Sequence, residues 1–272
     1  MASPIIDTEG DAGSDTKWYY RRMSLSTSSD FVVLRQIASA RRSARTFLSE
    51  PIPPEVMEQC IDIAIRAPSS QNLEIWRFID VRTPAMRAKL NHLCLNQAQA
   101  VQAPTLVVVV ARPDLWRVGC SRMLERLARD VDAPPTDPVY VDWLPRLVRK
   151  YRVLIPLLFN DGPMHILAPL KSFAVWLWAL SRPMMRGPFG KAEKELWAVK
   201  TAALACENFM LSLTAAGFDS CAMEGVDEPR IKRLLSLPRV ARIVMVIAAG
   251  RRGPDALLPQ FRFEREYYFS SI

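Results

Sequence analysis

Hydrophobic positions along this chain change period several times, and each change marks an element. Phe31, Leu34, Ile37 and Ala38 recur at helical spacing behind Ser29-Asp30, whose side-chain oxygens suit an N-cap, so a helix is predicted to about Ala40. Ile52-Pro53-Pro54-Glu55 opens a second helix, since a first turn tolerates both a missing N–H and a negative charge. Val56, Cys60, Ile63 and Ala67 mark its apolar face and Pro68 stops it. Residues 76–81 alternate in part and read as a strand, and residues 84–95 read as a helix. The β-branched run from Thr105 to Ala111 has the character of a strand covered on both faces. A long helix is predicted over 191–216, marked by Leu196, Val199, Ala203, Cys206, Met210 and Leu213, with Gly217 as its C′ residue. Pro229 opens a short helix, and residues 242–249 form a second buried strand ended by Gly250. Helices and strands alternate without a Gly-x-Gly-x-x-Gly turn, which argues against a Rossmann nucleotide site. No internal repeat is present.

Between residues 112 and 190 the pattern breaks. Prolines, among them Pro134, Pro135, Pro145, Pro156 and Pro169, punctuate two apolar stretches at 153–159 and 166–180. The longer stretch is interrupted by Pro169 and Lys171 and falls short of the ~20 residues that a membrane span needs. Arg146, Arg149, Lys150 and Arg152 precede it, and Arg182 and Arg186 follow it. A lid over a binding cleft is the leading reading, with an interface helix pair and peripheral membrane contact through 153–180 as the others.

Composition narrows the class. With 272 residues, half of them hydrophobic and 24% charged, the chain suits one soluble globular domain with an insertion. Its 36 Lys+Arg against 28 Asp+Glu leave a net charge of +8, which fits an anionic ligand or an anionic membrane surface. No zinc-finger spacing or RNA-recognition signature accompanies that charge, so no nucleic-acid partner is expected. The five cysteines are odd in number and set among apolar neighbours, as core thiols of a reduced, cytoplasmic protein are. His92 and His165 are too few for a His-rich metal site, and no metal is expected. The first residues are acidic, then aromatic, then Ser/Thr-rich, without the apolar core of a signal peptide. Residues 1–29 are expected to be a flexible tail and 30–272 the domain.

Two short stretches carry candidate chemistry. Arg41-Arg42-Ser43-Ala44-Arg45 sets three guanidinium groups and a hydroxyl at a helix end, and the planar fork of Arg fits phosphate oxygens. Ala67-Pro68-Ser69-Ser70-Gln71-Asn72 adds small hydroxyls and an amide after a helix-ending proline. Together they suit a phosphorylated cofactor rich in hydrogen-bonding groups. Each alone also fits a plainer role, a solvated basic helix end and a helix stop.

With these stretches in order, the sequence resembles the FMN-dependent nitroreductase family. Arg41-Arg42-Ser43-Ala44-Arg45 is similar to that family's N-terminal phosphate and flavin motif, and Pro68-Ser69-Ser70-Gln71-Asn72 to its Pro-Ser-Ser-x-Asn segment. Asn96-Gln97-Ala98-Gln99 resembles the segment at the flavin ring edge, Met223-Glu224-Gly225 the Glu-Gly pair beside N5, and Gln260-Phe261-Arg262 the late basic residue at the phosphate. The resemblance implies an α+β, three-layer fold, a central mostly antiparallel sheet flanked by helices, built as an intertwined homodimer with FMN sites at the interface. It implies Arg41, Ser43 and Arg262 on the phosphate and ribityl chain, Arg45, Asn96 and Gln99 near the pyrimidine edge, and Glu224 and Gly225 at N5 and O4. Ser69, Ser70 and Asn72 would come from the partner subunit. Gln260 stands where the family can supply a phosphate ligand, which leaves Arg251 or Arg252 as substitutes.

The activity implied is hydride transfer from NAD(P)H through flavin N5 to a small electron-poor acceptor, such as a nitroaromatic, quinone or activated alkene, by a ping-pong cycle. Other reactions of the superfamily (dehalogenation, flavin breakdown, peptide dehydrogenation) and a non-catalytic, flavin-binding, membrane-associated protein are the alternatives. A cation such as Arg45 near N1 and O2 would favour the reduced flavin, and Gly225, lacking Cβ, would admit close approach of the ring. Residues 254–272 are expected to form a dimer-swapped extension, with the alternating segment 261–269 pairing as a strand on the partner's sheet. Taken singly, Asn96 also fits a helix terminator, Glu224 a solvated loop acid and Arg262 a partner of Glu264 or Glu266. Trp143, Trp176, Trp178 and Trp197 are expected in the core or an interface, and Cys221 as a packed thiol.

Overall fold

A computed structural model describes residues 29–132, 138–162 and 166–272. Apart from Ser29, the expected N-terminal tail falls outside them. Four strands organise the chain: β1 (Trp76–Asp80), β2 (Thr105–Ala111), β3 (Asp219–Met223) and β4 (Arg242–Gly250), in the order β1-β2-β4-β3 with every pairing antiparallel. The β-branched run of β2 is buried at every residue because it lies inside the sheet and is covered on both faces.

Helices form the outer layers. They are α1 (Ser29–Ala40), α2 (Pro54–Ala64), α3 (Pro84–Leu93), α4 (Ala98–Gln102), α5 (Trp116–Asp132), α6 (Pro138–Arg149), α7 (Ile155–Phe159), α8 (Leu167–Trp178), α9 (Lys191–Ala215), α10 (Glu228–Leu234) and the single turn α11 (Arg265–Tyr268). Val107, Val109 and Ala111 of β2 join one core with α2 and α9, whereas Leu106, Val108 and Val110 join a second with α3, α4 and α10. Period-two alternation of β2 thus builds the three-layer α+β architecture.

Packing shifts the buried faces away from those that spacing alone predicts. The buried residues of α2 are Met57, Cys60 and Ala64, while Ile63 is 50% exposed, and the helix ends before Ala67. On α9 the residues Trp197, Ala198, Ala202, Ala205 and Phe209 are buried and Leu196 is exposed. Its alanines allow close approach to both the sheet and α2, so the buried stripe is wider than one helical ridge. Trp197 is in the core as expected, but Trp143, Trp176 and Trp178 are exposed in the chain. Strand β3 has no alternating signal of its own and was not expected. The segment 261–269 stays outside the sheet. An edge strand exists only through its ladder bonds, and in the single chain Arg265–Tyr268 closes into a helical turn instead.

The 112–190 segment is not one detached lid. Trp116, Cys120, Leu127, Leu144, Tyr151, Ile155 and Phe159 are buried in the first core, so α5 to α7 are part of the body. Between α6 and α7 the turn Lys150–Leu154 is a π-helix, with Ile155 N–H donating to the Lys150 carbonyl five residues back. Pro156 follows and has no N–H to continue the tighter pattern, which accounts for the widening. Lys194 fastens the segment to α9: its ammonium donates to the Phe159 carbonyl (2.6 Å) and pairs with the Asp161 carboxylate.

All five thiols are buried and unpaired. Burial pushes Cys94 up to about 11 and Cys206 up to about 12. Unfolded thiols ionise near pH 8.5, so the native state retains these protons over a window in which the unfolded chain loses them. Their contribution to stability is complete below that window and is lost as pH rises through it. The native protein is expected to leave Cys94 and Cys206 unlabelled by iodoacetamide at about pH 8, with both labelled after unfolding. Prompt labelling of either in the native state would contradict this burial.

Candidate functional site

Residues 41–48 leave α1 and run along the outer edge of β3. Ser43 bridges to Ser220, and Ala44 N–H donates to the Ser220 carbonyl (3.1 Å). The other side of this segment is tied to the chain after β4: Arg45 N–H to the Ala256 carbonyl (2.7 Å), Thr46 Oγ1 to the Pro254 carbonyl (2.7 Å) and Leu48 N–H to the Arg251 carbonyl (2.8 Å). The Arg42 guanidinium donates to the Leu258 carbonyl. Ala44 and Phe47 are buried in the second core, which leaves Ser43 and Arg45 exposed.

Charge at this edge is unevenly compensated. Arg251 pairs with Glu50 (3.6 Å) and lies over the Phe218 ring, and Arg252 pairs with Asp219 (3.8 Å). The Arg41 and Arg45 side chains have neither an ion pair nor a hydrogen-bond partner among the described residues. Burial pushes the Cys221 thiol up, and the guanidiniums of Arg45 and Arg41 pull it part of the way back, so both cations act on β3. Ser220 is 1% exposed and its Oγ has no hydrogen-bond partner among the described residues. A buried hydroxyl without a partner is costly, and here it lies beside two uncompensated cations. Arg262 is not brought to this cluster. It is exposed four residues beyond Leu258 and donates only to the Phe261 carbonyl (2.8 Å).

At the far end of β3, Met223 is buried while Glu224 and Gly225 are exposed. Gln97 holds this end in place, its Nε2 donating to the carbonyls of Cys94 and Gly225, each at 3.0 Å. Gln99 is turned inward, 5% exposed, with its amide donating to Gln97 Oε1 (2.9 Å). Asn96 is exposed on a left-handed backbone (φ 52°) reached at the end of α3. A Cβ on Gly225 would meet nothing within 4 Å, so its own chain leaves the flank of that backbone open.

The Pro68 turn lies elsewhere. Ser69 Oγ accepts from Glu74 N–H (3.3 Å), Asn72 Nδ2 contacts Met123 Sδ (3.3 Å), and Tyr151 OH donates to the Gln71 carbonyl (3.0 Å). Gln71, Asn72 and Glu74 all have positive φ. On α5, a Cβ at Gly119 would stand 2.8 Å from the Leu73 carbonyl oxygen, so only glycine lets the helix approach the turn this closely. The turn leads into Trp76, which faces Ala111 and Arg242 across the sheet, whereas Ser220 faces Ala249 and Thr105 at the other end. Ser43 and Trp76 are therefore at opposite corners, separated by four strand spacings of about 4.8 Å and six residues at about 3.3 Å, or roughly 25–30 Å. One chain does not bring the Arg41 and Pro68 motifs to a common ligand.

Residues 38–251 match the family model described as Nitroreductase family. The chain belongs to the nitroreductase family. It is 28% identical over 218 residues to Protein DrgA of Synechocystis, covering 79% of this chain and 82% of that one. It is 25% identical over 214 residues to a Thermus thermophilus protein named NADH dehydrogenase, covering 78% and 83%. Among solved structures, one from Exiguobacterium sibiricum, described as a nitroreductase in complex with FMN, superposes with a TM-score of 0.62 at 20% identity, covering 91% and 99%.

Spacing does not single out two residues along the β3 edge of this nitroreductase-family chain, Gln97 and Ser220, or Tyr151 at the Pro68 turn. Gln97 sits between the two residues expected at the ring edge and is the one that tethers Gly225. Ser220 and Tyr151 act through burial and backbone contacts that leave no periodic trace, although a serine beside a bridge and a tyrosine within a π turn are visible as residue types.

Proposed function

We propose that the protein is an FMN-dependent oxidoreductase that takes reducing equivalents from NAD(P)H and passes them to a small electron-poor acceptor, working as a homodimer. The observation that carries this reading is the edge of β3, where Arg41 and Arg45 have no counter-ion among the described residues and lie beside a Ser220 hydroxyl that has no partner among them. The Arg41 guanidinium fork and the exposed Ser43 hydroxyl form a donor set matched to a phosphate with an attached polyol, while Arg45, two residues on in a segment parallel to β3, is read at the ring. From Ser220 the edge runs about 13 Å to Glu224 at ~3.3 Å per residue, so the site is elongated. At the far end Asn96 offers an exposed amide, and the open flank of Gly225 leaves room for a flat group.

When bound, FMN supplies two-electron redox chemistry at its ring. The chain's residues bind and orient it. Arg45 sets positive charge where the reduced ring gains electron density, which favours the reduced form. Gln97 fixes the Gly225 carbonyl and so orients the backbone expected at the reacting edge. Ser69, Ser70 and Asn72 of the partner subunit complete the site, a reading supported by the separation of the two motifs within one chain. The NAD(P)H assignment is supported by the relative named NADH dehydrogenase.

The purified protein is expected to carry FMN that NADH or NADPH bleaches without oxygen. Arg41→Ala removes one charge-assisted phosphate contact and is expected to weaken FMN binding by roughly tenfold to 150-fold, equivalent to about 1.5–3 kcal/mol. Fluorescence titration of the flavin-stripped protein measures it. Unchanged affinity would remove Arg41 from the phosphate site.

A further inference from the structure

Helix α8 has the sequence Leu-Ala-Pro-Leu-Lys-Ser-Phe-Ala-Val-Trp-Leu-Trp, and only Ala168 within it is buried. Leu170, Phe173, Trp176 and Trp178 are between 52% and 64% exposed. Its two polar side chains are satisfied inward. The Lys171 ammonium caps the Asn160 and Leu158 carbonyls at the end of α7, and Ser172 Oγ donates to the Ala168 carbonyl (3.0 Å). Leu157, adjoining that joint, is 62% exposed. Contiguous apolar surface of this kind on a folded chain marks an interaction face.

Charge identifies what that face meets. Residues 112–190 contain twelve Lys/Arg and seven Asp/Glu, so this segment holds +5 of the chain's +8. Arg182 lies over the Trp178 ring (5.4 Å), which joins cation to aromatic at the C-terminal end of the apolar helix.

We propose that α8 docks the protein on the surface of a bilayer containing anionic phospholipids. A helix whose polar groups are all satisfied within the protein loses little on entering the acyl boundary. Tryptophan favours the headgroup level, and each nearby Lys or Arg adds attraction to anionic lipid. Twelve residues give about 18 Å of helix, too short to span, and no helix among the described residues is long and apolar enough to cross a membrane. The helix therefore lies in one leaflet. A second copy of the same face would bring like charges together, and a lid closing inward would have no use for a flanking arginine stacked on an exposed tryptophan.

The proposal does not depend on the flavin. Flotation of the full-length protein is expected to show binding to phosphatidylcholine vesicles containing phosphatidylglycerol, reduced by salt, and little binding to phosphatidylcholine alone. Phe173→Glu/Trp176→Glu, both at exposed positions, and Arg182→Glu/Arg186→Glu are each expected to cut binding roughly tenfold or more. For the unmutated protein, lipid brominated near the headgroup is expected to quench tryptophan emission. Failure to bind either vesicle, or binding that both double variants leave unchanged, would overturn the proposal. So would a smaller oligomer of the Phe173→Glu/Trp176→Glu variant when the unmutated protein binds no vesicle, since the face would then join two copies.

Discussion

A chain ended after Leu258 is expected to lose its dimer and its FMN together. Residues beyond that point expose Phe261, Phe263, Tyr267 and Phe269 by 52% to 74%, and these rings pack chiefly on one another, with Phe261 and Phe263 centroids 5.1 Å apart. On the sheet, β1 is an outer strand with no further strand beside it among the described residues. An apolar tail and an open edge in one chain are complementary liabilities that a second copy would resolve in the proposed homodimer. Ending after Leu258 preserves every tie that holds residues 41–48, because the Pro254, Ala256 and Leu258 carbonyls remain. The cut thus removes the tail without dismantling the basic edge, and the expected product is monomer or aggregate without visible flavin absorbance. Ending after Gly253 would remove those ties as well, so it loosens the edge itself. Light scattering with an absorbance spectrum decides the matter. A flavin-loaded dimer from the Leu258 cut would exclude the tail from both dimer and site.

Lys194→Met is expected to lower stability by about 3–5 kcal/mol, the usual cost of breaking a buried ion pair from one side. Lys194 and Asp161 side chains are 8% and 14% exposed, so water offers little compensation for the carboxylate left behind. The same ammonium holds the Phe159 carbonyl, and Phe159 packs on Trp197 (4.7 Å) and Trp116 (5.8 Å), so the joint also aligns the first core. Urea denaturation measures the loss. Adding Asp161→Asn is expected to restore part of it, since the buried carboxylate charge is then removed. A loss below about 1 kcal/mol for the single change would mean that water reaches the pair.

Several elements were legible in order along the chain because their signals are local. β2 was read to the residue, since a β-branched run carries its own preference for strand and for burial on both faces. The Ser29 and Lys191 helices were placed within a residue at each end, because apolar periodicity and a C′ glycine act over a few positions. β3 was missed: Asp219-Ser220-Cys221-Ala222-Met223 is made of small and mixed residues, and it is a strand because β4 supplies its ladder. For the tryptophans of α8 the expectation was core or interface, and the single chain leaves them out of its core, because residue type reports hydrophobicity and not what stands opposite.

The candidate site divides in the same way. Residue types and order along the chain determined that Arg41, Ser43 and Arg45 form one group of donors and Ser69, Ser70 and Asn72 another, because guanidinium and hydroxyl chemistry belongs to the side chains themselves. Tertiary structure alone decided that these groups lie at opposite corners of the sheet, that among the described residues Arg251 and Arg252 are paired while Arg41 and Arg45 are not, and that Ser220 lies beside the basic cluster while Gln97 holds Gly225 at the far end of β3. Distance and counter-ion depend on which strands meet, and strand pairing joins residues far apart in sequence, beyond the reach of any local pattern.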